Sequence, residues 1–252
     1  MNSKIEFHVV DEETGKEKIV VHKNAVKEEL KGKISDKDIE RSSELATSMS
    51  DIRKIYLDLI TGKGCSDQHD SCMELESDYV KNQCGNKCLP FGNVNADIMF
   101  IKRIPSLLEC GSMMSHSDTA GHFLLLMLDK AGKKPTEFFF TDFIKCPNPR
   151  INIDSCWRCA TNYFMKEVYA IKPKLLIFEG TSALKALMNG DVVTGIDEIK
   201  YGEIYNANFV SIPVQIMCIY DIDSVLQKDG KDLQEVKNNL WIFVNKAIRL
   251  VT

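Results

Sequence analysis

Cys84 and Cys88 form a C-x3-C pair shortly before an apolar run. Cys146 directly follows a second such run, in Ile144-Lys145-Cys146-Pro147, and Cys156 and Cys159 open the helical stretch after it. A close pair plus two more cysteines, one at a strand end and one at a helix start, can converge on one site. Four thiolates suit either an iron–sulfur cluster or tetrahedral zinc, and spacing alone does not choose between them. A lone cysteine is more often a small buried apolar residue, which is the reading given to Cys110 and Cys218. Cys65 and Cys72 lie in the polar loop Gly62 to Cys72 beside His69, where a separate zinc site is the minority reading. Nine cysteines is an odd count, and no apolar signal core follows Met1, which argues against a disulfide framework. The expectation is an intracellular protein, in the cytoplasm or with the nucleoid or nucleus. No apolar run approaches the roughly 20 residues of a membrane span.

Among the ionisable residues, Asp142 stands out because it ends an apolar strand, the position where ligands bind in open α/β sheets. The structural alternative is that it caps the Cys146 loop. Lys102-Arg103 and Lys133-Lys134 read as solvated charge runs, and His116 and His122 as exposed or satisfied histidines. Net charge is −4. Residues 1–83 carry 13 basic and 18 acidic side chains, whereas residues 84–252 carry 19 and 18. No strongly basic face is implied, which weighs against tight sequence-blind DNA binding. P-loop, G-x-G-x-x-G, H-E-x-x-H and G-x-S-x-G motifs are absent.

The elements that must position these residues are legible from periodicity. Residues 4–22 predict a hairpin turning at Gly15, and residues 36–59 a polar-rich helix. Ile98-Met99-Phe100-Ile101, Phe138 to Ile144, Leu175 to Phe178 and a segment within Phe209 to Tyr220 predict strands. Helices are expected around Phe123 to Leu128, Trp157 to Ile171, Thr181 to Met188 and Val236 to Leu250. Strands alternating with helices predict a mainly parallel α/β sheet covered on both faces. A soft composition boundary near residue 75 separates an N-terminal extension (1–75) from a core (76–252).

From about Cys84 to Leu226 the chain resembles the iron–sulfur (family 4) uracil-DNA glycosylases. After the cysteine pair and the strand at Asp97 to Ile101, Lys102 to Cys110 occupy the place of that family's GEGPGxxED loop. Ungapped counting then brings Ala120-Gly121 onto its helix-opening A-G. Thr141-Asp142-Phe143-Ile144-Lys145-Cys146-Pro147-Asn148-Pro149 matches its T-N-x-x-K-C-R-P-P. Cys159 stands fourteen residues before Pro173, as the family's fourth cysteine stands before its proline, which favours Cys159 over Cys156. The resemblance implies a [4Fe–4S] cluster on Cys84, Cys88, Cys146 and Cys159 rather than zinc. It also implies a three-layer α/β/α sandwich around a four-stranded parallel sheet.

The departures concern the chemistry. Lys102-Arg103 replace the Gly-Glu pair, and His116 stands where a phenylalanine stacks on the flipped base. Asp142 replaces the asparagine that reads the uracil edge, and Asp221-Ile222-Asp223-Ser224 fall at the H-P-S-P motif. Asp142 is thus the candidate catalytic residue, with Arg103, His116 and Asp221 as candidates for the base or DNA pocket. An ionised Asp142 accepts but cannot donate, and Asp221 and Asp223 place the wrong charge near a departing anionic base. The expected function is a glycosylase-like iron–sulfur protein of DNA transactions that serves as a DNA-binding or complex-forming module without uracil excision. It would bind DNA weakly alone, through a small basic rim of Lys102, Arg103, Lys145 and Arg150, and rely on a protein partner. The alternatives are an active DNA glycosylase of altered base specificity and a protein-interaction subunit with no DNA contact.

Overall fold

The computed structural model describes residues 7–10, 17–20, 49–60, 87–147, 159–228 and 230–251. By its contacts the chain divides into Met1–Ala46 and Thr47–Thr252. In the first unit, β1 (Phe7–Val10) and β2 (Glu17–Val20) pair antiparallel, as the hairpin pattern predicts. Of the helix expected over 36–59, the described part is residues 49–60 (α1). Although sequence reading placed α1 in the extension, it buries Ile52, Ile55 and Leu59 in the core of the second unit.

The second unit is built on a seven-stranded sheet. Its strands are β3 (Phe91–Gly92), β4 (Ile98–Lys102), β5 (Phe139–Asp142), β6 (Leu175–Glu179), β7 (Val193–Thr194), β8 (Ile204–Phe209) and β9 (Ile212–Ile219), in the order β3-β5-β4-β6-β9-β8-β7. The four central strands β5, β4, β6 and β9 are mutually parallel, and antiparallel strands extend both edges. The four-stranded parallel core is therefore present inside a wider mixed sheet. Periodicity missed the three edge strands: β3 and β7 are only two residues long, and in β8 Ile204, Ala207 and Phe209 alternate imperfectly with polar neighbours.

Strand alternation sorts the core into two layers. Met99, Ile101, Leu176, Phe178, Ile216 and Cys218 pack with α1 and with the helices α4 (Met165–Ile171) and α5 (Ser182–Asn189). Ile98, Phe100, Leu175, Ile177, Met217 and Ile219 face α3 (Thr119–Lys130) and α7 (Gly230–Val251). Helices on both faces complete the three-layer α/β/α sandwich. β4, β5 and β6 are buried along their whole length, which explains their nearly continuous apolar runs.

Short caps fix the chain where it leaves the strands. Ser106 and Glu109 form a capping box on α2 (Leu107–Ser112). Asp118 caps α3 through Gly121 N–H at 2.9 Å, and Asp221 caps α6 (Ile222–Leu226) through Ser224 N–H at 2.8 Å. Lys172, in the left-handed region, ends α4 just before Pro173. A π-helical turn, Ala160–Phe164, leads into α4 immediately after Cys159.

Candidate functional site

Three of the four parallel strands end side by side in an ionisable residue: β4 in Lys102, β5 in Asp142 and β6 in Glu179. Strand pairing sets Lys102 opposite Asp142. Lys102, read from sequence as solvated, is 5% exposed. Its Nζ lies 3.0 Å from Glu109 Oε2, 2.7 Å from Asp118 Oδ2 and 3.0 Å from Asp223 Oδ2. Burial alone would lower its pKa, but Glu109, Asp118 and Asp223 together raise it above the usual lysine range. Burial also pushes Asp118 up, yet hydrogen bonds from Lys102 and Gly121 N–H outweigh it and hold Asp118 at about 2. Glu109 goes the other way, pushed up to about 7 by burial and by nearby Asp142, against the pull of Lys102.

His116 joins the same cluster. Its backbone is left-handed (φ 58°), and its N–H donates to Glu109 Oε1. On the ring, Nδ1 meets Ser115 Oγ at 2.7 Å and Nε2 meets Glu179 Oε1 at 2.8 Å. His116 is 1% exposed and packs 5.3 Å from the Phe140 ring. Burial lowers its pKa, Glu179 raises it more, and the net shift is upward. The A-G spacing has a physical cause here. A Cβ on Gly121 would lie 2.0 Å from the His116 carbonyl oxygen, so only glycine lets α3 start against that backbone.

Asp142 is fully buried, and neither carboxylate oxygen has a hydrogen-bond partner among the described residues. It therefore does not cap the Cys146 loop. Burial raises its pKa, against the charges of His116 and Lys145. Arg103 is half-buried, and its carbonyl accepts Ile144 N–H at 3.2 Å. Asp221 sits half-buried at the rim as the α6 cap, beside Gly180. Of the four site candidates, the fold thus brings His116 and Asp142 into the strand-end cluster and leaves Arg103 and Asp221 at its edge. The expected basic rim is reduced: Lys102 and Lys145 are both buried in ion pairs, and Arg150 lies outside the described residues.

Lys145 is the hub of the cysteine region. Its Nζ lies 2.7 Å from Glu167 Oε1, and Thr141 Oγ1 donates to Glu167 Oε2 at 2.6 Å, all fully buried. Above that anchor, Cys88 N–H donates to Lys145 O at 2.9 Å, and Lys145 N–H donates to Cys159 Sγ at 3.4 Å. The Lys145 backbone thus contacts the Cys88 N–H and the Cys159 sulfur, with Cys146 next in the chain, and among the described residues no three His, Cys, Asp or Glu side chains group closely enough to hold a metal ion. Cys146 and Cys159 are partly exposed, while the buried Cys88 packs against Cys110. Cys84, Cys156, Cys65 and Cys72 lie outside the described residues.

The uracil DNA glycosylase superfamily matches residues 89–244, spanning the whole sheet and the strand-end cluster. The chain belongs to this superfamily. It is 25% identical over 142 residues to a type-4 uracil-DNA glycosylase of Pyrobaculum aerophilum, covering 54% of this chain and 71% of that one. It is 26% identical over 141 residues to the type-4 enzyme of Archaeoglobus fulgidus, covering 54% and 70%. Both of these similar uracil-DNA glycosylases are aligned with this chain over about half of its length.

Sequence reasoning missed the glycosylase-like domain's inner partners Glu109, Ser115, Asp118, Glu167 and Glu179. One signal could have found Glu179. Each of three apolar runs ends in a charged residue, as Ile98-Met99-Phe100-Ile101-Lys102, Phe138-Phe139-Phe140-Thr141-Asp142 and Leu175-Leu176-Ile177-Phe178-Glu179. Parallel strands in register bring those ends together.

Proposed function

We propose that this chain is a uracil-DNA-glycosylase-like iron–sulfur protein acting in DNA transactions as a DNA-binding or complex-forming module, without uracil excision. One observation carries the reading: at the strand ends, where a flipped base would have to enter, Lys102 and His116 are each committed to carboxylates of the protein itself. Excision needs a pocket that admits the base and reads its edge. Lys102 is committed to Glu109, Asp118 and Asp223, and His116 Nε2 to Glu179. Neither is presented to a leaving base, whose negative charge needs a donor or cation to lower the barrier. Asp221 and Asp223 add negative charge, the same sign as the departing base. With Lys102 and Lys145 withdrawn into the interior, few phosphate contacts remain, so DNA engagement by the isolated protein is weak and a protein partner supplies the rest.

The cysteines support a bound cluster in part. Cys146 follows Lys145 in the chain, and Cys159 Sγ accepts the Lys145 N–H at 3.4 Å. With Cys84 and Cys88 these residues would hold a [4Fe–4S] cluster that cross-links the β5 exit loop to the start of α4. Zinc on the same thiolates is the alternative.

The test is base release from single- and double-stranded oligonucleotides carrying uracil. The expected result is no release above the protein-free control. A second reading, a glycosylase of altered specificity, draws on one feature, the buried and unpartnered Asp142 carboxylate at the base-reading position. Extending the assay to modified bases separates the two. Turnover on any base that disappears in Asp142→Ala would overturn the first reading and establish the second.

A further inference from the structure

Tyr220 follows β9 directly, and Tyr201 bridges to Cys218 of the same strand. The two rings lie 4.6 Å apart between centroids, tilted by 37°, and Tyr220 meets Phe243 of α7 at 5.6 Å. The intervening backbone is shaped for this. Gly202 has φ 75°, and a Cβ there would fall 2.1 Å from the Phe243 ring. Gly202 N–H donates to Cys218 O at 2.8 Å, and Lys246 Nζ donates to Gly202 O at 2.8 Å. Tyr201 is thus held by its backbone and by Tyr220, yet 40% of it remains in solvent.

The charges around the pair are mostly negative or already used. Asp221 adjoins Tyr220 and acts electrostatically on Tyr201, and exposed Glu203 follows two residues after Tyr201. Lys200 is paired with Glu198 at 3.4 Å, and Lys246 is committed to the Gly202 carbonyl. A phosphate backbone would be repelled by Asp221 and Glu203, which disfavours nucleic acid as the occupant. An arginine suits both halves of the patch. Its planar guanidinium stacks on an aromatic face and pairs with a carboxylate through its fixed donors, which a lysine ammonium does less well.

We propose that Tyr201 and Tyr220, with Asp221 and Glu203, form a docking surface for an arginine-bearing segment of a protein partner. The proposal names the partner class of the complex-forming reading above and rests on it. The guanidinium stacks on the exposed Tyr201 ring and pairs with the Asp221 carboxylate.

The test uses the full chain and three fluorescent probes: an arginine-rich peptide, its lysine-for-arginine counterpart, and a single-stranded oligothymidylate. Anisotropy titrations should rank them in that order of affinity. Tyr201→Ala should weaken arginine-peptide binding about fivefold, with Tyr201→Phe retaining most of it. Asp221→Asn keeps the α6 cap but removes the charge, so it should weaken binding and flatten its salt dependence; it carries the test if Tyr201→Ala fails to fold. Tyr169→Ala, which removes a comparably exposed ring on α4, should change nothing. Arginine-peptide binding unaltered by both Tyr201→Ala and Asp221→Asn, or absent from wild type, would overturn the proposal. Oligothymidylate binding that depends on Tyr201 would overturn it in favour of nucleic acid. None of these results bears on base release, so the absence of excision is judged separately.

Discussion

Lys102 is the side chain of the strand-end cluster that meets the most carboxylates. It extends from the end of a central strand into three carboxylates, from the α2 capping box, the α3 cap and the first turn of α6. Removing one partner of a buried ion pair leaves the others uncompensated, which costs about 3–5 kcal/mol. Lys102→Met should therefore lower the unfolding free energy by roughly that amount in urea denaturation. Lys133→Met is the control, because Lys133 pairs with Glu137 in an exposed i,i+4 contact and should shift stability by less than about 0.5 kcal/mol. Equal, small effects would show that the cluster is not a coupled unit. The residue was misjudged from sequence because Lys102-Arg103 looks like any surface pair. Only the three carboxylates, seven to 121 positions away in the chain, reveal that it is interior.

At the scale of elements, the β5 exit loop and the start of α4 are the parts the cysteines would join. Lys145 holds that junction from below through Glu167 of α4, and its peptide meets Cys88 and Cys159 from above. Protein purified without oxygen is expected to be brown and to contain iron and acid-labile sulfide. Cys159→Ser should lose the metal, and Cys156→Ser should keep it. Stoichiometric zinc without iron would replace the cluster by a structural zinc site, and the reverse outcome for the two serine variants would show that Cys156 is the ligand. The spacing to Pro173 pointed to Cys159 before any fold was known. The Lys145 N–H contact to Cys159 is a separate, tertiary observation; Cys156 lies outside the described residues, so the two serine variants decide between them.

For the molecule as a whole, the buried charges set a pH dependence. The fully or nearly buried ionisable residues around the strand ends comprise the cations Lys102, Lys145 and His116 against the carboxylates Glu109, Asp118, Asp142, Glu167 and Glu179. Carboxylates outnumber cations in this set, and Glu109, Asp142 and Glu167 are all shifted upward by burial. A group whose folded pKa is raised stabilises the fold below its unfolded pKa and loses that contribution as pH rises through the folded value. Glu109, raised to about 7, and His116, also raised, both act in this direction. Asp118, lowered to about 2, acts oppositely, and its contribution is lost only as pH falls through that value. The melting temperature should accordingly decline from about pH 5 to about pH 8, measured by scanning calorimetry in one buffer series. In Glu109→Gln, which cannot titrate, the decline should be shallower. A melting temperature that rises across this interval would contradict the upward shifts of the buried carboxylates.

Apolar runs and their helical intervals were enough to read the parallel core, because a strand buried on both faces must be continuously hydrophobic wherever the chain places it. The cysteine set and the A-G spacing were legible for a similar reason: a shared ligand site and a close backbone approach each demand one residue type at one position. The ionic cluster was not. Its members are ordinary charged residues, and the same lysine or glutamate is solvated on a surface and paired in an interior. Sheet order places the ends of β4, β5 and β6 side by side, and the left-handed turn at His116 folds α2 and α3 over them. Composition and spacing determined the scaffold. Which charges face one another, and hence whether a base has anywhere to go, was decided by strand order and burial, because only contacts between residues distant in the chain can turn a surface charge into an interior one.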